Sequence, residues 1–320
     1  MKAIRLHEFG EPDVMKLEDI EEPAVGEGEV LIEMRAVGVN PVDTYIRAGA
    51  YPKKPQLPYT PGFDAAGVVE TADPNVKAFE AGDRVYTFGT VSGSYAEKTL
   101  CKESQVHHLP KKISFAEGAA LGVPYGAAYR ALFNIAEAQA AETILIHGAS
   151  GGVGTAAVQL AKAAGMKVIG SAGIEKGLEL VREQGAELVV NHKDSERFNQ
   201  IMEWTQGKGV NVVLEMLANE NLNNDLEIIA LNGRVVVIGC RGDVTINPRL
   251  TMMRDSSIRG MLLMNASSKE LAEIYNSINK GLESGDLKPV IGTELPLSEA
   301  AKAHHQVIEQ SAYGKIVLLA

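Results

Sequence analysis

Residues 143–171 read TILIHGASGGVGTAAVQLAKAAGMKVIGS, and the fold is decided by this stretch. Ile144, Leu145 and Ile146 form a short apolar run, suited to a parallel strand buried on both faces. Gly148, Gly151, Gly152 and Gly154 crowd the following turn. Val153, Ala156, Ala157, Leu160, Ala161 and Ala164 then recur at helical spacing, Gly165 closes the helix, and Lys167 to Gly170 open a second strand. Strand, glycine turn, helix, strand is the βαβ unit that holds a dinucleotide pyrophosphate. Glycines let backbone N–H groups approach the phosphates, and the helix N-terminus presents its positive end to them. Ala149 stands where the usual fingerprint has its first glycine. A glycine-rich turn can serve tight packing alone, but the strand before it and the helix after it point to a bound dinucleotide.

Downstream the same alternation continues. Strands are predicted at 143–147, 167–171, 188–191, 210–215, 234–239 and 257–263, with helices between most of them. Gly185, Gly207, Gly209 and Asn232-Gly233 mark the stops and turns. The prediction is an α/β fold with a doubly wound, six-stranded parallel Rossmann sheet. Upstream, Lys2–Leu6, the alternating Val30, Ile32 and Met34, Ala65–Glu70 and Asp83–Phe88 read as strands, joined by proline-rich loops, which suggests a distorted β-barrel. Ser114 and Glu117 form a capping box before a helical passage that is expected to break near Pro124 and resume over 127–135. A second box, Ser267 and Glu270, opens a helix to about Glu283. Residues 288–293 look extended, 298–310 helical and 315–319 a last strand. These final segments have no core of their own and should rejoin the first domain.

The chain has 320 residues, 45% hydrophobic and 22% charged, which is enough for two domains with separate cores. A net charge of −10 argues against nucleic acid as the main partner. Only Cys101 and Cys240 are present, which excludes a disulfide framework and fits a reducing compartment. The opening MKAIRLHEFGEP lacks a signal-peptide core, and no apolar run is long enough to span a membrane. A cytoplasmic protein is expected. The seven histidines lack HxxxH or HExxH spacing, and the pairs His107-His108 and His304-His305 read as exposed polar positions. Both cysteines read as small hydrophobes.

VGVNPVDTYIRAGAY (37–51), LPYTPGFDAAGVV (57–69), VPYGAAYRAL (123–132), HGASGGVG (147–154), EMLAN (215–219) and GKIVLL (314–319) together resemble the zinc-independent quinone oxidoreductases of the zeta-crystallin type, in the medium-chain dehydrogenase/reductase superfamily. The resemblance spans nearly the whole chain. It implies a GroES-like β-barrel catalytic domain at 1–122, a Rossmann NADPH-binding domain at 123–262, and a return to the catalytic domain at 263–320. It also implies quinones as acceptors and a homodimer or homotetramer whose sheets join near Ile258 to Leu263. Alkenal or enone reduction, or non-catalytic NADPH binding, would suit the same fold.

The resemblance also distributes roles. Zinc dehydrogenases of this architecture need a Cys at the position of Asn40 and a His at that of Phe63, so no metal is expected here. Without a Lewis acid, an acceptor that is already electrophilic is required; quinones and conjugated carbonyls qualify. Asn40 and Tyr45 are placed beside the nicotinamide as the catalytic pair, with Tyr45 also touching the cofactor. Asn40 could equally be a turn residue before Pro41, and Tyr45 a satisfied aromatic. Arg47 and Tyr51 are weaker candidates, and Asp43 and Asp64 read as solvated or turn-bonded loop carboxylates. Cofactor contacts are implied for Ser150, Gly151, Gly152 and Val153 at the phosphates, Gly173 and His192 at the adenosine end, Asn221, Ile238, Gly239, Cys240 and Arg241, and Met261, Leu262 and Leu263 near the nicotinamide.

The choice between NADPH and NADH can be read from the residues. An NAD-preferring Rossmann domain carries an acid at the end of its second strand, about 20 residues past the glycines, to bind the ribose 2′-OH. Ser171 stands there instead. Serine can donate to a 2′-phosphate, while Lys176 and His192 lie at the same sheet edge. Lys176 could also be an ordinary surface charge of its helix.

Overall fold

The structure is a computed structural model and describes residues 1–309 and 311–320. Two compact units divide the chain. Unit 1 comprises Met1–Val123, Pro289–Gln310 and Gly314–Ala320, and unit 2 comprises Pro124–Lys288 and Ser311–Tyr313.

Unit 1 is built on strand β3 (Glu29–Val39), which pairs antiparallel with β4 (Asp64–Ala72), β6 (Lys98–Lys102) and β15 (Lys315–Leu319). The sheet continues through β5 (Arg84–Phe88) to β7 (Val106–His108) at one side and through β14 (Ile291–Pro296) at the other. A separate ribbon joins β1 (Lys2–Arg5) to β2 (Lys16–Asp19). Val30, Ile32 and Met34 enter the core as the alternation predicts, with Val85, Tyr95 and Leu318 among their companions. Beyond Arg35 the residues of β3 are buried on both faces. Helix α1 (Pro41–Arg47) follows β3 directly. Ser114 and Glu117 cap only the four-residue α2 (Phe115–Gly118). The break expected near Pro124 falls before it, at 119–121. Pro124 is the third residue of α3 (Gly122–Tyr129), in a first turn that needs no N–H from it, and the chain runs on into a π-helical turn, Arg130–Ile135.

Unit 2 carries six parallel strands in the order β10-β9-β8-β11-β12-β13. Their ranges are β8 (Thr143–Ile146), β9 (Lys167–Ala172), β10 (Leu188–Asn191), β11 (Val210–Glu215), β12 (Ile229–Val237) and β13 (Ser257–Gly260). This is the doubly wound Rossmann order, with its switch point between β8 and β11. The helices are α4 (Gly152–Ala163), α5 (Glu175–Gln184), α6 (Arg197–Trp204), α7 (Ala218–Ile228), α8 (Pro248–Met252) and α9 (Ser268–Ser284). Asn232-Gly233, expected as a turn before a strand, lies inside β12. Asn232 is left-handed (φ 58°), and the pairing with β11 shifts register between Val210 and Val212, so the irregularity is absorbed as a kink. β13 stops at Gly260 rather than 263.

The division at 263 is also corrected. Residues up to Lys288 stay with unit 2, because α9 presents Ile274, Tyr275, Ile278 and Leu282 as a buried stripe. Arg130 Nε donates to Glu270 Oε1 at 2.9 Å, and a Cβ at Gly126 would lie 2.6 Å from the Tyr275 hydroxyl. Ser267 caps α9 alone, since its hydroxyl accepts from the Glu270 N–H while the Glu270 carboxylate is turned to Arg130. The chain then returns to unit 1 with β14, α10 (Ala300–Glu309) and β15. Gln310, the expected last helical residue, lies outside the described residues. Neither histidine pair is wholly exposed. His304 is buried edge-on to Tyr95, and the half-buried His107 ring packs 5.1 Å from that of Tyr86.

Candidate dinucleotide and acceptor sites

The dinucleotide turn of unit 2 is built by two glycines with distinct tasks. Gly148 takes the left-handed conformation (φ 57°) that turns the chain out of β8, the task the sequence assigns one position later. Gly154 lets α4 press against that turn, since a Cβ there would stand 2.2 Å from the Gly148 carbonyl oxygen. Gly151 is the N-cap of α4, and among the described residues no side chain caps the helix. The first-turn N–H groups, from Gly152 and Val153 onward, therefore face the carboxyl edge of the sheet as an anion-binding terminus. Ser150 is buried, and its hydroxyl donates to the Ala312 carbonyl at 2.7 Å.

At the neighbouring edge Gly173 and His192 come together, for a Cβ on Gly173 would stand 2.2 Å from His192 Nε2. Lys176 is exposed on the first turn of α5. Burial, and then the charge of Lys193, keep the His192 imidazole below its ordinary value. Ser171 does not join this group. It is 1% exposed, and its hydroxyl lies 3.3 Å from His147 Nδ1. Counting along the strand finds the position but not the face. Ser171 shares the face of Ile169, which belongs to the core, and follows it inward.

Ser171 leads to a cluster that reading the sequence missed. His147 Nε2 lies 2.8 Å from Asp225 Oδ1 and 3.5 Å from Glu215 Oε2, with all three residues buried. Glu215 Oε1 accepts from the Leu217 N–H and, at 3.3 Å, from Asn221 Nδ2. The cluster thereby fixes the loop between β11 and α7. Burial pushes the Glu215 carboxyl up to about 8, with the Asp225 carboxylate beside it adding to the effect. Burial likewise raises Asp225 to about 7, and lowers His147. The acid pair thus keeps a proton at neutral pH and the imidazole stays uncharged.

Stability should respond to this. In the folded protein Glu215 holds a proton that the unfolded chain, near the ordinary glutamate value of 4.5, has released. The contribution of Glu215 is therefore greatest below the unfolded value and falls with rising pH up to about 8, by at most ~1.4 kcal/mol per pH unit. Buried histidines act in the opposite sense below about pH 6.5. Between pH 6.5 and 8 the acids alone should set the slope. Urea midpoints are expected to fall across that window, and Glu215→Gln, which mimics the protonated acid, should flatten the fall. An unchanged slope in the variant would show that Glu215 ionises alike in both states.

Beyond β12 and β13 a hollow of about 430 Å³ is lined by Ile238, Gly239, Cys240, Met261 and Leu262, with Val237, Gly260 and Asn265. Leu263 is turned into the core instead, 3% exposed. Cys240 is exposed, not a core hydrophobe, because it sits on the loop after β12; Cys101 is buried. Arg241 is held through its backbone N–H by Asn219 Oδ1.

In unit 1 Asn40 ends β3 and begins α1. Both ends of its amide are engaged inward. Nδ2 donates to Asp64 Oδ2 at 2.9 Å, and Oδ1 accepts from Lys315 Nζ at 2.5 Å. Lys315 also donates to Asp64 Oδ2 at 3.1 Å, and Asp64 Oδ1 accepts from the Val123 N–H. Asp43 reaches back from α1 to the Asn40 N–H at 2.8 Å and lies 3.3 Å from the Tyr95 hydroxyl. Asp43 and Asp64, read from the sequence as solvated or turn-bonded, are 1% and 0% exposed. Burial raises Asp43 to about 7, and the Asp64 carboxylate adds to it. Arg47 is buried too, donating to the Gly10 carbonyl. Tyr45 is different. It is half-buried on α1, and among the described residues its hydroxyl has no hydrogen-bond partner.

Residues 26–111 match the alcohol dehydrogenase GroES-like domain, and residues 152–279 match the zinc-binding dehydrogenase family. Rattus norvegicus quinone oxidoreductase is 50% identical over 321 residues, covering 100% of this chain and 98% of its own. The chain belongs to the quinone oxidoreductases of the medium-chain dehydrogenase/reductase superfamily. Escherichia coli quinone oxidoreductase complexed with NADPH superposes with a TM-score of 0.91 at 29% identity, covering all of both chains. An NAD-dependent alcohol dehydrogenase superposes as well, at 0.93 and 27% identity, again over both whole chains. Shape alone therefore does not choose the dinucleotide.

The family's zinc does not fit this site. At the position of the ligating cysteine, the Asn40 carbonyl oxygen is already bonded to an ammonium group, and Asp64 is neutralised by the same Lys315. A dication would have to displace a buried cation, and Phe63 offers no donor. The dinucleotide does fit. The uncapped terminus of α4, the glycine turn and the Gly173–His192 edge supply backbone donors and space where a side chain would intrude.

Proposed function

We propose that this oxidoreductase reduces quinones with NADPH and without zinc. The observation that carries the reading is the Lys315 ammonium within the Asn40–Asp64 pair. A fixed cation there leaves no place for a Lewis acid, so the acceptor must be electrophilic on its own account, as quinones are. NADPH, when bound, supplies the hydride.

The chain's residues bind and orient. The N–H groups of the turn from Ser150 to Val153 hold the pyrophosphate, and the helix dipole of α4 favours its charge. Gly173 and His192 hold the adenosine ribose, with Lys176 as the cation for its 2′-phosphate. The hollow around Ile238, Gly239, Met261 and Leu262 excludes water from the nicotinamide end, and Asn221 holds its loop through Glu215. Asn40 is a positioning residue, since its amide is spent on Asp64 and Lys315. Tyr45, whose hydroxyl is unclaimed, is the group that donates to the acceptor oxygen or to a cofactor ribose.

Among the described residues β13 has one strand partner and one open edge. Ile258, Leu262, Met252 and Met253 are exposed near it in sequence, which supports a homo-oligomer joined sheet to sheet. No helix of the described residues is long and apolar enough to cross a membrane. With two unpaired cysteines, a cytoplasmic location is proposed.

The test follows NADPH oxidation near 340 nm against a quinone panel after exhaustive chelation. Full turnover is expected, with NADPH favoured over NADH by about 10- to 150-fold in kcat/KM, since a charge-assisted phosphate contact contributes roughly 1.5–3 kcal/mol. Loss of activity that stoichiometric zinc restores, or equal use of NADH, would overturn the proposal.

A further inference from the structure

Ser311–Tyr313 belongs to unit 2, although the residues on either side of it belong to unit 1. Two contacts seat it on the dinucleotide turn. The Ala312 carbonyl accepts from Ser150 Oγ, and a Cβ on Gly151 would stand 3.2 Å from that of Ala312. The next residue, Tyr313, lies with its ring under Lys176, whose Nζ is 3.9 Å from the ring centroid. A Cβ on Gly177 would stand 3.1 Å from Ser150 Oγ, so the first turn of α5 closes the same cluster.

Lys176 is out of place for the stability of α5. It stands in the first turn, where the helix dipole disfavours a cation. Among the described residues it has no acidic partner, and the adjacent Glu175 is turned to Arg182 at 3.7 Å. The aromatic face is what holds it. An ammonium on a ring presents its remaining N–H groups away from that ring, and a lysine already held loses less freedom when it binds an anion.

We infer that Tyr313 is a specificity-determining residue, which holds the Lys176 ammonium in place for the 2′-phosphate of the dinucleotide. The inference rests on the NADPH reading. Tyr313 acts through Lys176 and not through the adenosine, so it discriminates between phosphorylated and unphosphorylated ribose.

Isothermal titration of the full-length protein with adenosine 2′,5′-bisphosphate and with 5′-AMP separates the possibilities. The wild type should prefer the bisphosphate. Tyr313→Ala should weaken the bisphosphate by roughly 3- to 30-fold and change 5′-AMP by less than about 2-fold, while Tyr313→Phe, which keeps the ring, retains wild-type affinity. In a Lys176→Ala background Tyr313→Ala should have no further effect. Equal weakening of both ligands would make Tyr313 an adenosine contact and overturn the inference, and so would tighter or unchanged bisphosphate binding. A wild type with no preference for the bisphosphate would defeat the NADPH reading itself, and the inference with it.

Discussion

Ser171→Asp is expected to destabilise unit 2 by roughly 3–5 kcal/mol and to leave the cofactor preference where it was. By the rule for Rossmann domains, an acid at the end of the second strand should turn an NADPH enzyme toward NADH. In this protein the side chain at 171 points at His147, beside Glu215 and Asp225, in a pocket closed to water. Those two acids are already pushed up by burial. A third carboxyl must either stay protonated in a space cut for a hydroxyl, or ionise and draw a proton onto an imidazole that burial keeps neutral. Both alternatives cost more than the lost Ser171–His147 hydrogen bond. Urea unfolding should show a large drop in midpoint, with the ratio of NADPH to NADH dissociation constants unchanged. A variant as stable as the wild type that prefers NADH would place residue 171 at the ribose.

That contrast marks how far the sequence can be read. The strands and helices of unit 2 were legible because a buried parallel strand is a continuous apolar run and its turns need glycine. Within a strand, the face on which one polar residue falls depends on register against both neighbours, and Ser171 was assigned outward without it. The buried acids escaped for a related reason. Asp43, Asp64, Glu215 and Asp225 each look like an ordinary carboxylate until distant partners, such as Asn40 and Lys315 for Asp64, 24 and 251 positions away, are seen to enclose them. One signal was available: GKIVLL places a lysine at the start of an otherwise apolar strand, and β15 is a central strand with β3 and β14 on its two sides. A lysine entering such a strand either reaches solvent past its end or needs a buried anion. The zinc-ligand positions, by contrast, were readable directly, because Asn40 and Phe63 are the wrong donors whatever surrounds them. Tyr45 was legible as a candidate, and its unclaimed hydroxyl now separates it from Asn40.

Lys315→Met should be among the most damaging single changes in unit 1, costing roughly 3–5 kcal/mol, and Asp64→Asn should relieve much of that cost in the double variant. Methionine removes the ammonium and leaves the buried Asp64 carboxyl without its counter-ion, facing the Asn40 amide and the Val123 N–H. It also leaves Asn40 Oδ1 without its donor. Asparagine at 64 takes away the stranded charge and keeps an acceptor for Val123. Its new N–H group can turn to Asn40 Oδ1, so neutral groups answer both the lost counter-ion and the orphaned oxygen, at the cost of the acceptor that Asp64 Oδ2 gave Asn40 Nδ2. The pair as a whole contributes little net stability, because each partner repays the other's desolvation, and the penalty appears only when one is removed. Urea unfolding of the two single variants and the double closes the cycle, with a coupling of about 2 kcal/mol or more expected for charges in direct contact. The same proteins report on function. If the ammonium serves only to neutralise Asp64 and orient Asn40, the double variant should retain NADPH-dependent quinone turnover in proportion to its folded fraction. A double variant that folds well but turns over far more slowly would make the Lys315 charge part of the reaction. An additive cycle, with Lys315→Met costing less than about 1 kcal/mol, would show that Lys315 reaches solvent and that the buried pair does not form.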